Sequence, residues 1–220
     1  MHIESFLFVI TLCALPPLIN GHARMVEPPT RNTLWRFGFN TPPNYEDNQL
    51  FCGGIKVQWQ DNGGKCGVCG DPYNGVRAHE TGGLMARNIT IRNYVPGSVV
   101  DVVIELIANH AGSDVKMNKK ESDFVETEEC FENLKLGNDS DHFALTGKEP
   151  RGMYGIAVKL PEKRECKHCI LRWQWNAANN WGKCEDGKER VGCGPQETYR
   201  NCADVRISYD YGIRGGLRSL

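Results

Sequence analysis

Ten cysteines in a chain of 220 residues constrain the fold more than any other feature, and all but Cys13 lie beyond residue 51. The nine are Cys52, Cys66, Cys69, Cys130, Cys166, Cys169, Cys184, Cys193 and Cys202. In an oxidising compartment such a set forms a disulfide framework, whereas in a reducing one it points to metal or catalysis. The two C-x-x-C pairs, Cys66 with Cys69 and Cys166 with Cys169, stand far beyond the roughly 15–20-residue spacing of a zinc ribbon. Bridges are therefore expected, with their pairing open. An odd count leaves at least one cysteine outside the intrachain bridges.

The compartment is read from the N-terminus. Phe6–Ile19 is almost wholly apolar and uncharged, and small Gly21 precedes His22, the pattern of a secretory signal peptide over residues 1–21. The stretch is short for a membrane span, and Pro16 and Pro17 break its helix. No Lys or Arg precedes it, which leaves cleavage at other bonds within Ile19–Arg24 open. Removing 21 of 220 residues leaves 199, enough for a single domain over 22–220. It also removes Glu4 from 27 acids and nothing from 26 bases, so the mature chain carries no net formal charge. Neither nucleic acid nor a membrane surface is expected as partner, and a neutral substrate is compatible. A monomer is expected. Asn88 and Asn138 head N-x-[ST] sequons and are candidate glycosylation sites in a secreted protein.

Period-two patterns dominate the mature chain. Strands are expected over Ile89–Tyr94, Val99–Ala108, Tyr154–Leu160, Cys169–Trp175 and Ala203–Tyr209, with turn signals between them. Glu121–Leu136 is the one place for a short helix. Met25–Gly83 and Asn176–Glu197 read as long loops. An all-β chain of this kind suggests an immunoglobulin- or fibronectin-III-like β-sandwich with long disulfide-bonded loops. Parity puts Val100, Val102, Ile104, Leu106, Ala108 and His110 on one face, with His110 at the core rim. Tyr199, Asn201, Ala203, Val205, Ile207 and Tyr209 share a face in the same way, with Tyr199 at the strand entrance.

A histidine at a new N-terminus has unusual chemistry. Its α-amine and ring Nδ1 chelate one ion, and the amine loses its proton to a metal at little cost near neutral pH. One further imidazole completes three nitrogen donors, a set that suits copper. His110 is the candidate partner; His79, His142 and His168 are alternatives on spacing alone.

Ordered motifs then run along the mature chain. They are His22-Ala23-Arg24, Glu27-Pro28-Pro29-Thr30-Arg31, Phe51-Cys52-Gly53-Gly54, Gly64-Lys65-Cys66-Gly67-Val68-Cys69-Gly70-Asp71, Ala108-Asn109-His110, Leu171-Arg172-Trp173-Gln174-Trp175 and Tyr199-Arg200-Asn201-Cys202. In these the chain resembles the lytic polysaccharide monooxygenases, and among them the fifteenth auxiliary-activity family, with a chitin-binding type 4-like domain. The resemblance implies His22 and His110 as the ligands of one copper ion. It further implies Tyr199 on one axial side, Ala108 crowding the other, and a Gln or Glu behind the metal, for which Gln174 is the candidate. The implied reaction is oxidative cleavage of β-1,4-linked chitin or cellulose, at C1 or C4, on a crystalline surface. An external electron donor and hydrogen peroxide or dioxygen are its co-substrates. No pair of carboxylates is marked out for hydrolysis. Loop aromatics Trp35, Phe37, Phe39 and Tyr45 either stack on sugars or pack beneath the loop.

Residues 111–120 depart from the family pattern, which has an aromatic-rich strand ending in a cysteine there; the missing cysteine makes Cys130 the expected odd one. Two other functions fit the same residues: a non-catalytic chitin- or cellulose-binding module, and a secreted copper-binding protein. N-terminal sequencing of the secreted protein should read His-Ala-Arg-Met; any other start sinks the N-terminal metal ligand.

Overall fold

The computed structural model describes residues 22–121 and 126–210. The expected signal segment lies outside them. The strands are β1 (His22–Glu27), β2 (Arg92–Tyr94), β3 (Val99–Ala108), β4 (Gly112–Glu121), β5 (Glu132–Asn133), β6 (Lys135–Leu136), β7 (Phe143–Leu145), β8 (Gly152–Lys159), β9 (Cys166–Asn176), β10 (Trp181–Lys183), β11 (Glu189–Val191) and β12 (Thr198–Ile207). One sheet has the order β1-β3-β8-β6; the other has β2-β12-β9-β4-β5, with β7 also on β4. β10 and β11 form a separate hairpin. The expected β-sandwich is what the chain forms.

Alternation explains the packing between the sheets. Val100, Val102, Ile104, Leu106 and Ala108 of β3 are all buried, and so are Tyr199, Asn201, Ala203, Val205 and Ile207 of β12. Trp173 and Trp175 of β9 fill the space between them. Burying each such side chain contributes about 2–3 kcal/mol. Met25 N–H donates to Asn201 Oδ1 at 2.8 Å, a buried bond from β1 of one sheet to β12 of the other.

β9 is buried on its second face as well, where Ile170 and Arg172 lie. That face is covered by the long loop between β1 and β2 and by the segment from Glu126 to Phe131. Ile170 packs with Cys69, Cys202 and Phe131, and the Arg172 guanidinium sits 4.0 Å over the Phe131 ring. The bridge Cys69–Cys202 fastens the loop to β12 across 133 positions, a loop closure that in chain-entropy terms contributes about 4–5 kcal/mol. Cys52–Cys66, Cys166–Cys169 and Cys184–Cys193 are the other bridges. Cys130 lies outside these four, its Sγ 3.2 Å from Thr127 Oγ1.

Three segments differ from expectation. Among the described residues of Glu121–Leu136, where a helix is expected, there is a 3-10 turn at Glu128–Cys130, followed by β5 and β6. Leu134 and Leu136 are buried two residues apart, which is strand spacing, and the Glu128 carboxylate is drawn across to Arg172 and Arg200. Residues 112–121, off the family pattern in sequence, still form a strand that pairs with β9 from Asp114 to Glu121. The loop of 25–83 begins only after β1 and contains a 3-10 turn at Leu34–Phe37 and a π-helical turn at Lys56–Asp61.

Arg31 joins these parts. Its Nε and Nη2 donate to Asp204 of β12 at 2.8 and 2.6 Å, and Nη1 donates to Glu126 at 2.5 Å and to the His79 carbonyl at 2.8 Å. Burial alone would raise the Glu126 pKa, but Arg31 outweighs it and holds the carboxylate below its ordinary 4.5. The stabilisation is thus complete above the ordinary value and is lost as pH falls through the depressed one. Glu126→Gln should cost about 3 kcal/mol at pH 7, because Arg31 loses a buried counter-charge, and should flatten the acid limb of stability; urea melts across pH 3–7 measure both.

Candidate functional site

The site is built where β1 begins, β3 and β9 end and β12 begins. β1 runs antiparallel to β3 with Ala23 opposite Leu106, yet His22 lies opposite Ala108. The skipped residue, Ile107, is a β-bulge in β3. It brings His22 into register with Ala108, at the end of β3 that leads to His110. The start of β1 also points along the direction in which β3 continues, toward His110.

His110 is fixed by the turn that follows β3. Asn109 Oδ1 accepts from Ala111 N–H at 2.9 Å, and Asn109 Nδ2 donates to the Glu149 carbonyl and carboxylate at 3.0 and 3.1 Å. Ala111 adopts φ 51°, a left-handed conformation that costs a non-glycine residue about 1 kcal/mol. Gly112 follows at φ 142°, where a Cβ would come 2.3 Å from both the Asn176 carbonyl and Trp175 Nε1. The Trp175 indole N–H donates to Ala111 O at 3.1 Å, and Ala178 N–H donates to the His110 carbonyl at 3.0 Å.

Tyr199 forms the floor. It is 1 % exposed, so it lies within the core rather than at its rim. Its ring is 5.0 Å from Trp175 and stacks at 5.6 Å on Phe51 of the long loop. The hydroxyl donates to the Glu197 carboxylate, and burial with the neighbouring Glu197 charge drives the phenol pKa far up. Glu197 is itself raised by burial, against the Tyr199 hydrogen bond and the His22 charge, both of which favour the carboxylate. His22, Glu197 and Tyr199 are therefore neighbours.

Gln174, the candidate for the polar residue behind the metal, is elsewhere. It pairs in register with Arg200, whose Nε donates to Gln174 Oε1 at 3.0 Å. Odd and even residues of β9 point to opposite faces, so Gln174 faces the long loop while Trp175 faces Tyr199. The polar residue beside His22 and Tyr199 is Glu197. The signal was available: Glu197 precedes Tyr199 by two residues, the same parity that groups Tyr199 with Asn201.

The alternative histidines are not at this end. His79 is buried in the long loop with Nδ1 2.8 Å from Asp71. His142 is exposed beside Asp141, and exposed His168 lies at the far end of β9, where Cys166 opposes Ile207. Of the loop aromatics, Trp35 meets Tyr45 edge-on at 5.2 Å, Phe37 is exposed and Phe39 is half-buried.

The family described as lytic polysaccharide mono-oxygenase, cellulose-degrading, matches residues 22–205. The lytic polysaccharide monooxygenase AA15 from Thermobia domestica, solved in the Cu(I) state, is 41% identical with a TM-score of 0.79 over 84% of this chain and 98% of that one. A chitin binding domain from Burkholderia pseudomallei shares the fold at 13% identity, with a TM-score of 0.51 over 86% of this chain and 100% of that one. No curated protein matches. The chain belongs to the lytic polysaccharide monooxygenases, within their fifteenth auxiliary-activity family, and is a copper-dependent enzyme of oxidative polysaccharide degradation.

Proposed function

We propose that the mature protein is secreted with His22 as its first residue and holds one copper ion by the His22 amine and Nδ1 together with the His110 imidazole. The observation that carries this is the bulge that seats His22 opposite Ala108, two residues before His110 and beside Glu197 and Tyr199. The donor set fits copper. Among the described residues no three His, Cys, Asp or Glu side chains gather as a metal cluster, so two imidazoles at this end need a backbone amine as third donor. The family match also begins at residue 22.

Copper held there would supply one-electron redox chemistry, with an external electron donor and hydrogen peroxide or dioxygen as co-substrates, for oxidation of a sugar C–H bond at C1 or C4. The chain's own residues shape its surroundings. Ala108 keeps the position beside His22 small, Tyr199 presents a ring held by Trp175 and Phe51, and Glu197 fixes the Tyr199 hydroxyl. Asn109, through Glu149, sets the backbone of His110.

The substrate is a β-1,4-linked polysaccharide, chitin or cellulose. A site at the end of a sandwich addresses a polymer surface and asks no chain to enter a pocket. The uncharged balance of the mature chain suits such a polymer. Asn88 and Asn138 are both exposed and open to glycosylation.

Calorimetry with Cu(II) should give one tight site. His110→Ala should weaken it on the order of a hundredfold or more, while Tyr199→Phe keeps the metal and loses about 1 kcal/mol of stability. Mass spectrometry of chitin and cellulose digests with ascorbate should show oxidised oligosaccharides. Full activity in His110→Ala, or copper binding that survives blocking of the His22 amine, would contradict the assignment.

A further inference from the structure

At the end of the sandwich away from His22, the ladder between β9 and β12 breaks its register. Val205 lies opposite Cys169 and Ile207 opposite Cys166, so Lys167 and His168 together oppose the single residue Arg206. Two residues facing one make a β-bulge in β9. Parity shows which way the three side chains turn. Cys166 and Cys169 both belong to the buried core although they stand three positions apart, and Val205 and Ile207 belong to it as well. The residues between them therefore point outward: Lys167 and His168 are exposed and Arg206 is half-buried. A regular strand would have sent either Lys167 or His168 inward. The Cys166–Cys169 bridge closes β9 on itself beneath the bulge and holds it. β2 extends the row, since Asn93 pairs with Arg206 and is exposed beside it.

The bulge borders a cleft of about 450 Å³ that Glu165 and Ser208 also line. That one carboxylate is already engaged, because Glu165 Oε2 accepts from Ser208 Oγ at 2.8 Å and from the Tyr209 N–H at 3.0 Å. Further along the outward face, Asp204 is taken by two nitrogens of Arg31. Arg92, Arg172 and Arg200 of the same sheet each have a carboxylate partner. Among the described residues, Lys167, His168 and Arg206 have none. Two cations held side by side without a counter-ion repel each other, and an anion seated between them turns that repulsion into attraction. A guanidinium fork beside an ammonium matches the several acceptor oxygens of a tetrahedral sulfate or phosphate group.

We propose that this bulge is an oxyanion site that takes a sulfate or phosphate group, either borne on an anionic glycan or free in solution. Arg206 meets the group with its guanidinium fork, Lys167 supplies the second charge, and His168 and Asn93 donate at the rim. The mature chain carries no net formal charge, so the binding draws on this local cluster and not on an overall positive field. The eleven residues of β9 put roughly 30 Å between the bulge and Asn176 at the other end of the strand. An anionic polymer held at the bulge thus leaves the His22 end open. The inference does not depend on the metal assignment.

The test is calorimetric binding of heparin, inorganic sulfate and inorganic phosphate to the copper-loaded mature protein at low ionic strength. Wild type is compared with Lys167→Gln/Arg206→Gln and with Lys56→Gln/Lys188→Gln, which removes the same charge from exposed lysines elsewhere. The first variant should weaken binding about tenfold or more and the second less than about twofold. Melting temperature and copper affinity should stay at wild-type values in both. Equal weakening by the two variants overturns the site by leaving net charge as the whole cause, and so does a wild type that binds none of these anions. Heparin held far more tightly than either inorganic ion, with the difference lost in Lys167→Gln/Arg206→Gln, supports the site and makes a polymer-borne group its ligand. An inorganic ion held as tightly as heparin, and lost in the same variant, supports the site with the free ion as ligand.

Discussion

The buried guanidinium of Arg31 ties three stretches of chain that share no strand pairing to one point. It reaches Asp204 on β12, Glu126 ahead of the 3-10 turn, and the His79 carbonyl deep in the long loop. Glu126 in turn accepts from the Thr81 amide and hydroxyl, so the loop is held twice. Burial this complete is costly for a charge unless every donor is matched, and here two carboxylates and a carbonyl match it. The cover that Arg31 secures is what allows Ile170 and Arg172 to be buried on the outer face of β9. It also seats Leu50, Phe51 and Cys52 against the start of β12, where Arg200 N–H donates to the Leu50 carbonyl and the bridged Cys52 Sγ lies 3.0 Å from the Thr198 carbonyl. Phe51 thereby becomes the slab beneath Tyr199. A loop that looks like decoration in sequence is the support of the site's floor.

Above that floor the proposed chemistry depends on one of the two register shifts between β1 and β3. From Ala23 to Met25, β1 follows β3 in step, with Arg24 reaching outward to Glu105 and Ala23 and Met25 inward. The bulge at Ile107 interrupts that step at the end of β3 and brings His22 opposite Ala108. A bulge leaves its extra residue unpaired, and here that loss falls at the last residue before the turn, where little ladder remains to be lost. The turn then adds strain at Ala111 and the close approach at Gly112. Local irregularity concentrated in a few residues beside proposed ligands is the pattern expected where geometry serves chemistry rather than stability.

Legibility in sequence depends on the kind of signal each part sends. β3 and β12 bury one face only, so alternation reveals both the strands and their inward residues, from Val100 to Ala108 and from Tyr199 to Ile207. β9 hides its parity because Cys169 to Trp173 are buried on both faces, and the cover responsible is more than a hundred residues away in one direction. That is also why residue type alone draws Gln174 toward the site, when its register with Arg200 turns it away. β1 escapes a sequence reading because six residues followed at once by Pro28 and Pro29 look like loop, and its pairing with β3 is a tertiary fact. Glu197 carries a readable signal, its two-residue offset from Tyr199, but sits in a stretch that reads as loop.

The placement of His22 separates stability from activity in an instructive way. The inward anchors of β1 are Ala23 and Met25, 1% and 0% exposed, together with the Met25 bond to Asn201. None of them depends on what precedes residue 22. The ladder therefore forms whether or not the chain is cut at Gly21, and its register delivers residue 22 to the same point beside Ala108 either way. What the cut changes is a single donor: an amide nitrogen, with no lone pair to give, becomes an amine that can ligate. Folding energy thus fixes the position, and on the proposed reading processing alone supplies the ligand. A chain that begins one residue early would keep its core, its bridges and the stack of Phe51, Tyr199 and Trp175, and would present an imidazole without the amine that completes the set.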